Sequence, residues 1–260
     1  GVDLATQNEA ASAESLGILH KVHDVVTDDG AWRMRPQIRF EHVLYPIPDA
    51  SSLSPEWWVL DGTGAYEGLS LLGAKEGLDL HGFIVPTEVL PPPPVDHRGA
   101  AVSGTELAAM PAEPVEVTAV YRGIEACDDE PVPEEIGPYQ LARYEPCEVH
   151  LDWDDPRIDG TDLWSGNSTS IELDDGTFMT FDHKVHDIVT DDGAWLMRPQ
   201  LRFDAPGYPD PDGSTQWWVL DGDGAYAGLV ALLVKEGEDL RGFVVPSDDV
   251  PPVPEHILSE

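Results

Sequence analysis

Lysine is nearly missing from this chain: four residues of 260, at positions 21, 75, 184 and 235. With 14 Lys plus Arg against 50 Asp plus Glu, the formal charge is −36. Functions that rest on neutralising phosphate are thereby disfavoured, and neither nucleic acid nor an anionic membrane surface is an expected partner. No apolar run approaches the roughly eighteen residues that would span a bilayer as a helix. Cysteine occurs twice, at 127 and 147, too rarely for a disulfide framework. The chain has no G-x-S-x-G elbow, no phosphate loop and no calcium loop with its terminal Glu, so no catalytic residue is assigned and no cofactor is implied. Acidic turns such as Asp210-Pro211-Asp212-Gly213 and Asp221-Gly222-Asp223 read as plain turn chemistry. Helix is scarce too, and the best short candidate, Gly104 to Met110, sits in a Pro-rich stretch.

What is present is enough to fold. Apolar residues make up 41% of the chain, with eight Trp, and can bury a core. The acids are dispersed and keep a folded surface solvated. Molar salt, which shortens the screening length to about 3 Å, would relieve their repulsion. A salt-loving source and an ordinary acidic protein from a GC-rich genome both fit.

The chain contains one sequence twice. HKVHDVVTDDGAWRMRPQIRF from His20 returns as HKVHDIVTDDGAWLMRPQLRF from His183, and the thirty residues from Trp57 to Pro86 return from Trp217 to Pro246. Each copy ends in prolines, Pro91 to Pro94 or Pro251, Pro252 and Pro254, which stop a strand ladder. Three segments follow: an N-terminal β unit at 1–90, a Pro-rich connector at 91–114, and a C-terminal β unit at 115–260. An additional β-like stretch precedes only the second copy, which gives Val115 to Pro246 about eight strands, the number at which a barrel interior is just filled or holds a small ligand. Unit one has lost these strands, or they lie beyond Gly1, or the whole chain builds one body. Supply from another chain would make a homo-oligomer.

The period within each copy is two. Trp32, Met34, Pro36, Ile38 and Phe40 alternate with Arg33, Arg35, Gln37 and Arg39, which predicts a half-buried strand with an edge position or a bulge at Pro36. The expected fold class is all-β: tandem-duplicated antiparallel barrel units with little helix. An inward cationic face would let Arg35, Gln37, Arg39, Arg198, Gln200 and Arg202 hold a carboxylate or enolate, with Trp58, Tyr66, Trp218 and Tyr226 covering the apolar part of the ligand. An outward face would pair with acids of neighbouring strands, and the abundance of acids favours that orientation. No metal is expected: His20 and His23, like His183 and His186, are three apart and so lie on opposite faces of a strand.

The runs Gly62-Thr63-Gly64-Ala65-Tyr66-Glu67-Gly68-Leu69 and Gly222-Asp223-Gly224-Ala225-Tyr226-Ala227-Gly228-Leu229 resemble the G-x-G-x-[YF]-x-G-L strand start of allene oxide cyclase-like barrels, a superfamily that includes dirigent proteins and bacterial spirotetronate cyclases. Asp24-Val25-Val26-Thr27-Asp28-Asp29-Gly30 resembles their D-x-x-x-D-x-G turn. The resemblance implies an eight-stranded barrel with a pocket for a small, largely apolar ligand, in some members with cyclisation there. It carries over no catalytic residue. A lipocalin-like tandem barrel is the structural alternative.

The functional expectation is binding of a small apolar or amphipathic, carboxylated or enolic ligand in a barrel pocket, extending to cyclase or isomerase chemistry. The other class is a non-enzymatic acidic module that binds a protein partner or cations. Gly137-Pro138 is a turn dipeptide midway between Cys127 and Cys147, and a hairpin folded there would set the two Cys opposite one another. Two reduced thiols in a cytoplasmic protein are the favoured reading of so lone a pair. A bridge would point to export. Asn167-Ser168-Thr169 matches the glycosylation sequon, which matters only in a secreted eukaryotic protein.

Overall fold

A computed structural model describes residues 1–11, 16–41, 56–76, 79–94, 114–127, 131, 133–208 and 215–257. The helix candidate Gly104 to Met110 and the turn Asp210 to Gly213 lie outside the described residues. The chain divides into two units, Gly1–Leu90 with Asp249–Glu260, and Pro91–Asp248. Among the described residues, all of the regular structure apart from single 3-10 turns is antiparallel β.

Unit 2 contains β8 (Val115–Ala126), β9 (Glu134–Ile136), β10 (Tyr139–Trp153), β11 (Thr161–Glu172), β12 (Phe178–Val189), β13 (Gly193–Met197), β14 (Gln200–Asp204), β15 (Gln216–Gly224), β16 (Leu229–Glu236) and β17 (Asp239–Pro246). Its sheet runs β11-β10-β8-β17-β16-β15-β13-β12, and β12 pairs back onto β11, so the sheet is a closed ring. With β13 and β14 counted as one interrupted strand, this is the expected barrel of eight strands in up-and-down order. Its interior is one contiguous cluster to which every strand of the ring but β11 contributes buried residues, from Val117, Leu151 and Ile188 round to Trp195, Trp218, Leu233 and Leu240, with Trp164 of β11 packed against its margin.

Unit 1 contains β1 (Val2–Ala11), β2 (Gly17–Val26), β3 (Gly30–Met34), β4 (Gln37–Glu41), β5 (Glu56–Gly64), β6 (Leu69–Glu76) and β7 (Asp79–Pro86). The order is β1-β2-β3-β5-β6-β7 with β4 on β2, and β1 and β7 are its edges. β1 matches β11, because Asp3 lies opposite Val25 as Asp162 lies opposite Ile188. Unit 1 therefore holds the counterparts of β11 through β17, and among its described strands none corresponds to β8 or β10.

The strand carrying the Arg residues inverts partway along. Cross-strand partners share a face: Val25 pairs with Trp32, while Lys21 pairs with Gln37 and Leu19 with Arg39. Even-numbered residues of β3 and odd-numbered residues of β4 thus look the same way. The single alternating face expected from Trp32 to Phe40 is corrected accordingly. The extra residue is taken up at Arg35-Pro36, where proline has no N–H for the ladder and a bulge re-aims the chain. The Gln37 side-chain amide donates to Trp57 O, and Gln200 to Trp217 O, carrying on past the proline the ladder that Arg35 N–H makes with Val59 O.

Turn chemistry accounts for the paired Gly-rich motifs. A Cβ on Gly62 or on Gly222 would stand 2.2 Å from the carbonyl oxygen of Tyr66 or Tyr226, so only glycine lets the β5–β6 and β15–β16 turns fold back on the strand.

Each unit binds the proline cluster that follows the other repeat. His183 Nδ1 donates to Pro91 O (2.8 Å) and Asn167 Nδ2 to Pro92 O (2.9 Å) in unit 2. In unit 1 His20 Nδ1 donates to Pro251 O (3.1 Å) and Asn8 Nδ2 to Pro252 O (3.0 Å). The buried Asp24 carboxylate then accepts from His256 Nδ1 and from Ile257 N. These bonds explain why residues 249–260 group with unit 1 and not with the repeat that precedes them. Asn167, of the sequon, is buried with its amide committed to Pro92.

Cys127 and Cys147 form a disulfide with Cα atoms 4.6 Å apart, which corrects the reading of two reduced thiols. β9 and β10 fold back at Gly137-Pro138, Ile136 opposite Tyr139, with Gly137 at φ 62°. That sign is required at the first position of a two-residue II′ loop. Ala126 lies opposite Glu148, so the bridge stands one position beyond the β8–β10 ladder.

Candidate functional site

The same constellation occurs on the concave face of each unit. In unit 2, His186 Nδ1 donates to Asp162 Oδ2 (2.9 Å), and its ring stacks on Trp218 with centroids 4.2 Å apart. In unit 1, His23 Nδ1 meets Asp3 (3.0 Å) and its ring lies 4.3 Å from that of Trp58. The carboxylate fixes the tautomer, so Nε2 is the ring atom left to accept or deliver a proton. The two carboxylates differ in setting: the Asp162 side chain is 0% exposed and that of Asp3 is 49%. The Asp162 Oδ1 atom is buried and has no hydrogen-bond partner among the described residues, a costly state in an apolar interior. His20 and His183 face the opposite way, toward the prolines, as the strand period requires.

Beside Trp58 lies a half-buried carboxylate with three donors. Glu56 accepts from Lys21 Nζ (2.8 Å), Arg39 Nη1 (2.8 Å) and Trp58 Nε1 (2.9 Å). Burial by itself would raise the Glu56 pKa, but Arg39, Lys21 and the bonds from Lys21 and Trp58 outweigh it and hold the group at about 2. The same burial, together with repulsion from Arg39, lowers Lys21. The ammonium groups of Lys21 and Lys75 each stand 5.7 Å from the Trp58 ring centroid.

Unit 2 repeats the frame with one change of charge. Lys184, Arg202 and Trp218 stand at the positions of Lys21, Arg39 and Trp58, and Gln216 stands at that of Glu56. Trp218 Nε1 donates to Gln216 Oε1 (3.3 Å), so the amide occupies the place of the carboxylate. Arg202 is buried and donates to Gln200 Oε1 (2.7 Å). Lys235, the counterpart of Lys75, turns to Gly237 O and lies 5.2 Å from the Tyr121 ring. Tyr121, Trp153 and Trp164 are only partly buried against the interior cluster.

Of the residues singled out in the sequence, the structure brings Gln37 and Arg39 with Trp58, and Gln200 and Arg202 with Trp218, onto the concave faces. Arg35 and Arg198 are not among them. Each makes a bidentate pair with an acid of the neighbouring strand, Asp61 (2.9 and 3.0 Å) and Asp221 (2.9 and 2.8 Å), and is half exposed. Tyr66 and Tyr226 stack on Trp32 and Trp195 at 4.9 and 5.0 Å. Their hydroxyls bond Thr27 and Thr190, which ties them to the turns. Asp3, Asp162, His23, His186, Glu56 and Gln216 were not legible as site residues. The run D-L-x-x-x-N at Asp3 to Asn8 and at Asp162 to Asn167 is the signal that could have found the Asp–His pairs.

No protein-family model, no curated protein and no solved structure matches the chain.

Proposed function

We propose that unit 2 binds a small amphipathic molecule carrying a carboxylate or enolate, with its anionic group at the Gln216 position and its apolar part against Trp218 and Trp164. The observation that carries this reading is the exchange of Glu56 for Gln216 beside Lys184, Arg202 and Trp218, which repeat Lys21, Arg39 and Trp58 in sequence. In unit 1, Lys21, Arg39 and the Trp58 N–H converge on the Glu56 carboxylate and hold its pKa down at about 2. In unit 2 an amide of the same shape keeps the bond from Trp218 Nε1 without supplying the charge, and Arg202 is engaged by Gln200 instead. His186, held by the buried Asp162, is stacked on Trp218 and so lies next to the proposed ligand position. A ligand hydroxyl would satisfy Asp162 Oδ1, and His186 Nε2 would move a proton in cyclase or isomerase chemistry. The Cys127–Cys147 bridge supports a site of action in an oxidising compartment.

The test is titration of the chain with benzoate, indole-3-acetate and laurate, followed by tryptophan fluorescence. Saturable binding is expected for at least one of them, weakened about 10- to 100-fold by Arg202→Met, the loss of one charge-assisted hydrogen bond. It should be abolished by Gln216→Glu, which installs the internal anion of unit 1. Binding that is indifferent to Gln216→Glu overturns the assignment. The contiguous packing inside the unit 2 barrel favours a second reading, an interaction module. Absence of saturable binding by all three probes would favour it.

A further inference from the structure

The two units share seven strands, yet their concave faces are covered very differently. β1 and β7 correspond to β11 and β17, and in unit 2 the edges of those two strands are occupied by β10 and β8. In unit 1 no described strand takes those places. The side chains that β8 and β10 cover in unit 2 stand open: Ile84 is 58% exposed where its counterpart Val244 is 0%. Leu80 is half-buried where Leu240 is buried, and Asp3 is open where Asp162 is closed. Between Asp79 and Pro86, β7 carries no Lys, Asp, Glu or Pro, the residues that usually blunt an edge. A long edge flanked by uncovered apolar side chains is a template for main-chain pairing.

We propose that unit 1 is a receptor for a two-stranded antiparallel β-ribbon, which adds to β1 on one side and β7 on the other and completes a ring of eight strands. The ribbon is recognised by its backbone and by apolar side chains at alternate positions, as β8 presents Val117, Ala119 and Tyr121 and β10 presents Val149, Leu151 and Trp153. Unit 2 sets the register. The residue equivalent to Val117 lies opposite Gly82, as Val117 lies opposite Gly242, and the residue equivalent to Val149 lies opposite Asp3, as Val149 lies opposite Asp162. The ribbon covers Ile84 and Leu80 and closes the Asp3–His23 pair away from water.

The probe is a synthetic peptide of residues 115–153 with its disulfide formed, added to the whole chain and read by hydrogen exchange. The expected result is a one-to-one complex in which amides of 2–10 and 79–86 exchange at least tenfold more slowly, with 161–172 unchanged. Ile84→Lys, at a position already exposed, should abolish binding without altering the melting of the free chain. A peptide bearing Val149→Asp and Leu151→Asp should fail to bind. Unchanged exchange at both edges under saturating peptide overturns the proposal. So does edge protection in the free chain that grows with its concentration, since a second copy would then be the occupant. Should the peptide aggregate, residues 115–153 joined by a flexible linker ahead of Gly1 provide the second measurement. Unit 1 is then expected to melt several degrees higher, and an unshifted transition overturns the proposal equally.

Discussion

Unit 1 and unit 2 are built from nearly the same sequence from β2 to β7 and from β12 to β17, and they show how far local sequence reaches. Pairing, the bulge at Pro36 or Pro199, the tyrosine-capped turns and the Asp–His–Trp stacks are the same in both. Burial is not. Closing the sheet with β8 and β10 puts Asp162 and Val244 in the dry, whereas Asp3 and Ile84 remain in solvent. Hydrogen bonding and strand register are properties of the repeat, and desolvation is a property of its neighbours. The electrostatics at the site differ for a separate reason, the exchange of Glu56 for Gln216.

The largest expected effect tests closure through the core. Trp195 is fully buried, stacks on Tyr226 and donates from Nε1 to Arg157 O. Trp195→Ala should cost about 3–5 kcal/mol, the range for removing a large aromatic from a packed interior. The same change at Trp32, in the smaller cluster with Met34, Trp58 and Leu60, should cost less. Urea unfolding followed separately in each unit by hydrogen exchange checks the ranking, and equal losses would mean that the missing strands leave the packing around Trp32 undiminished.

Next is the disulfide, which has no counterpart in unit 1. Reduction of Cys127–Cys147, or Cys147→Ser with Cys127→Ser, should remove about 3 kcal/mol from unit 2 alone, the scale of closing a loop of some twenty residues. Alkylation mass before and after reduction establishes the bond, and a shift in the unit 2 urea midpoint measures its contribution. A matching shift in unit 1 would contradict the locality of the effect.

Much of this was written in the sequence, though unevenly. The duplication, the all-β class and the eight strands of unit 2 could be read because period-two runs and turn residues agree with one another. Gly137-Pro138 located the hairpin and set Cys127 near Cys147, while their redox state depended on a compartment that composition does not encode. Proline pointed to an edge position or a bulge at Pro36, but alternation does not say which, and Arg35, Gln37 and Arg39 were kept on one face: the inserted position sends Gln37 and Arg39 to the side of Trp32, leaving Arg35 on the other. The Asp–His pairs were hidden because Asp3 and Asp162 lie on strands outside the long repeats, where only Asp, Leu and Asn are shared. Exchange of the proline tails was equally illegible, since each cluster could as well have packed on its own repeat.

The third prediction concerns acid. The Glu56 carboxyl in the folded protein titrates at about 2 in place of its ordinary 4.5. Its contribution is therefore fully present above about 4.5 and lost as pH falls toward 2, a change of roughly 2–3 kcal/mol in unit 1. Gln216 cannot titrate, so unit 2 should lack this part of the acid slope. Denaturant midpoints between pH 5 and pH 2 compare the two, and Glu56→Gln should flatten unit 1 toward the behaviour of unit 2. An unchanged slope in that variant would assign the acid sensitivity to other carboxylates.

The smallest effect should be the same in both units, which makes it a control on the others. Arg35–Asp61 and Arg198–Asp221 are bidentate but half exposed, so each pair should contribute only about 0.2–1 kcal/mol in a double-mutant cycle with Arg→Met and Asp→Asn. Both coupling energies should shrink toward zero in molar salt, where screening acts within about 3 Å. Over the same range the melting temperature of the whole protein should rise, because salt relieves the repulsion of a chain carrying −36 and strengthens apolar burial. Opposite trends are required: local pairs weaken while the fold is stabilised. A melting temperature that is flat or falls with salt would mean that local pairs already balance the excess of acids. A larger coupling in one unit would mean that closure of the barrel reaches through the sheet to its outer face.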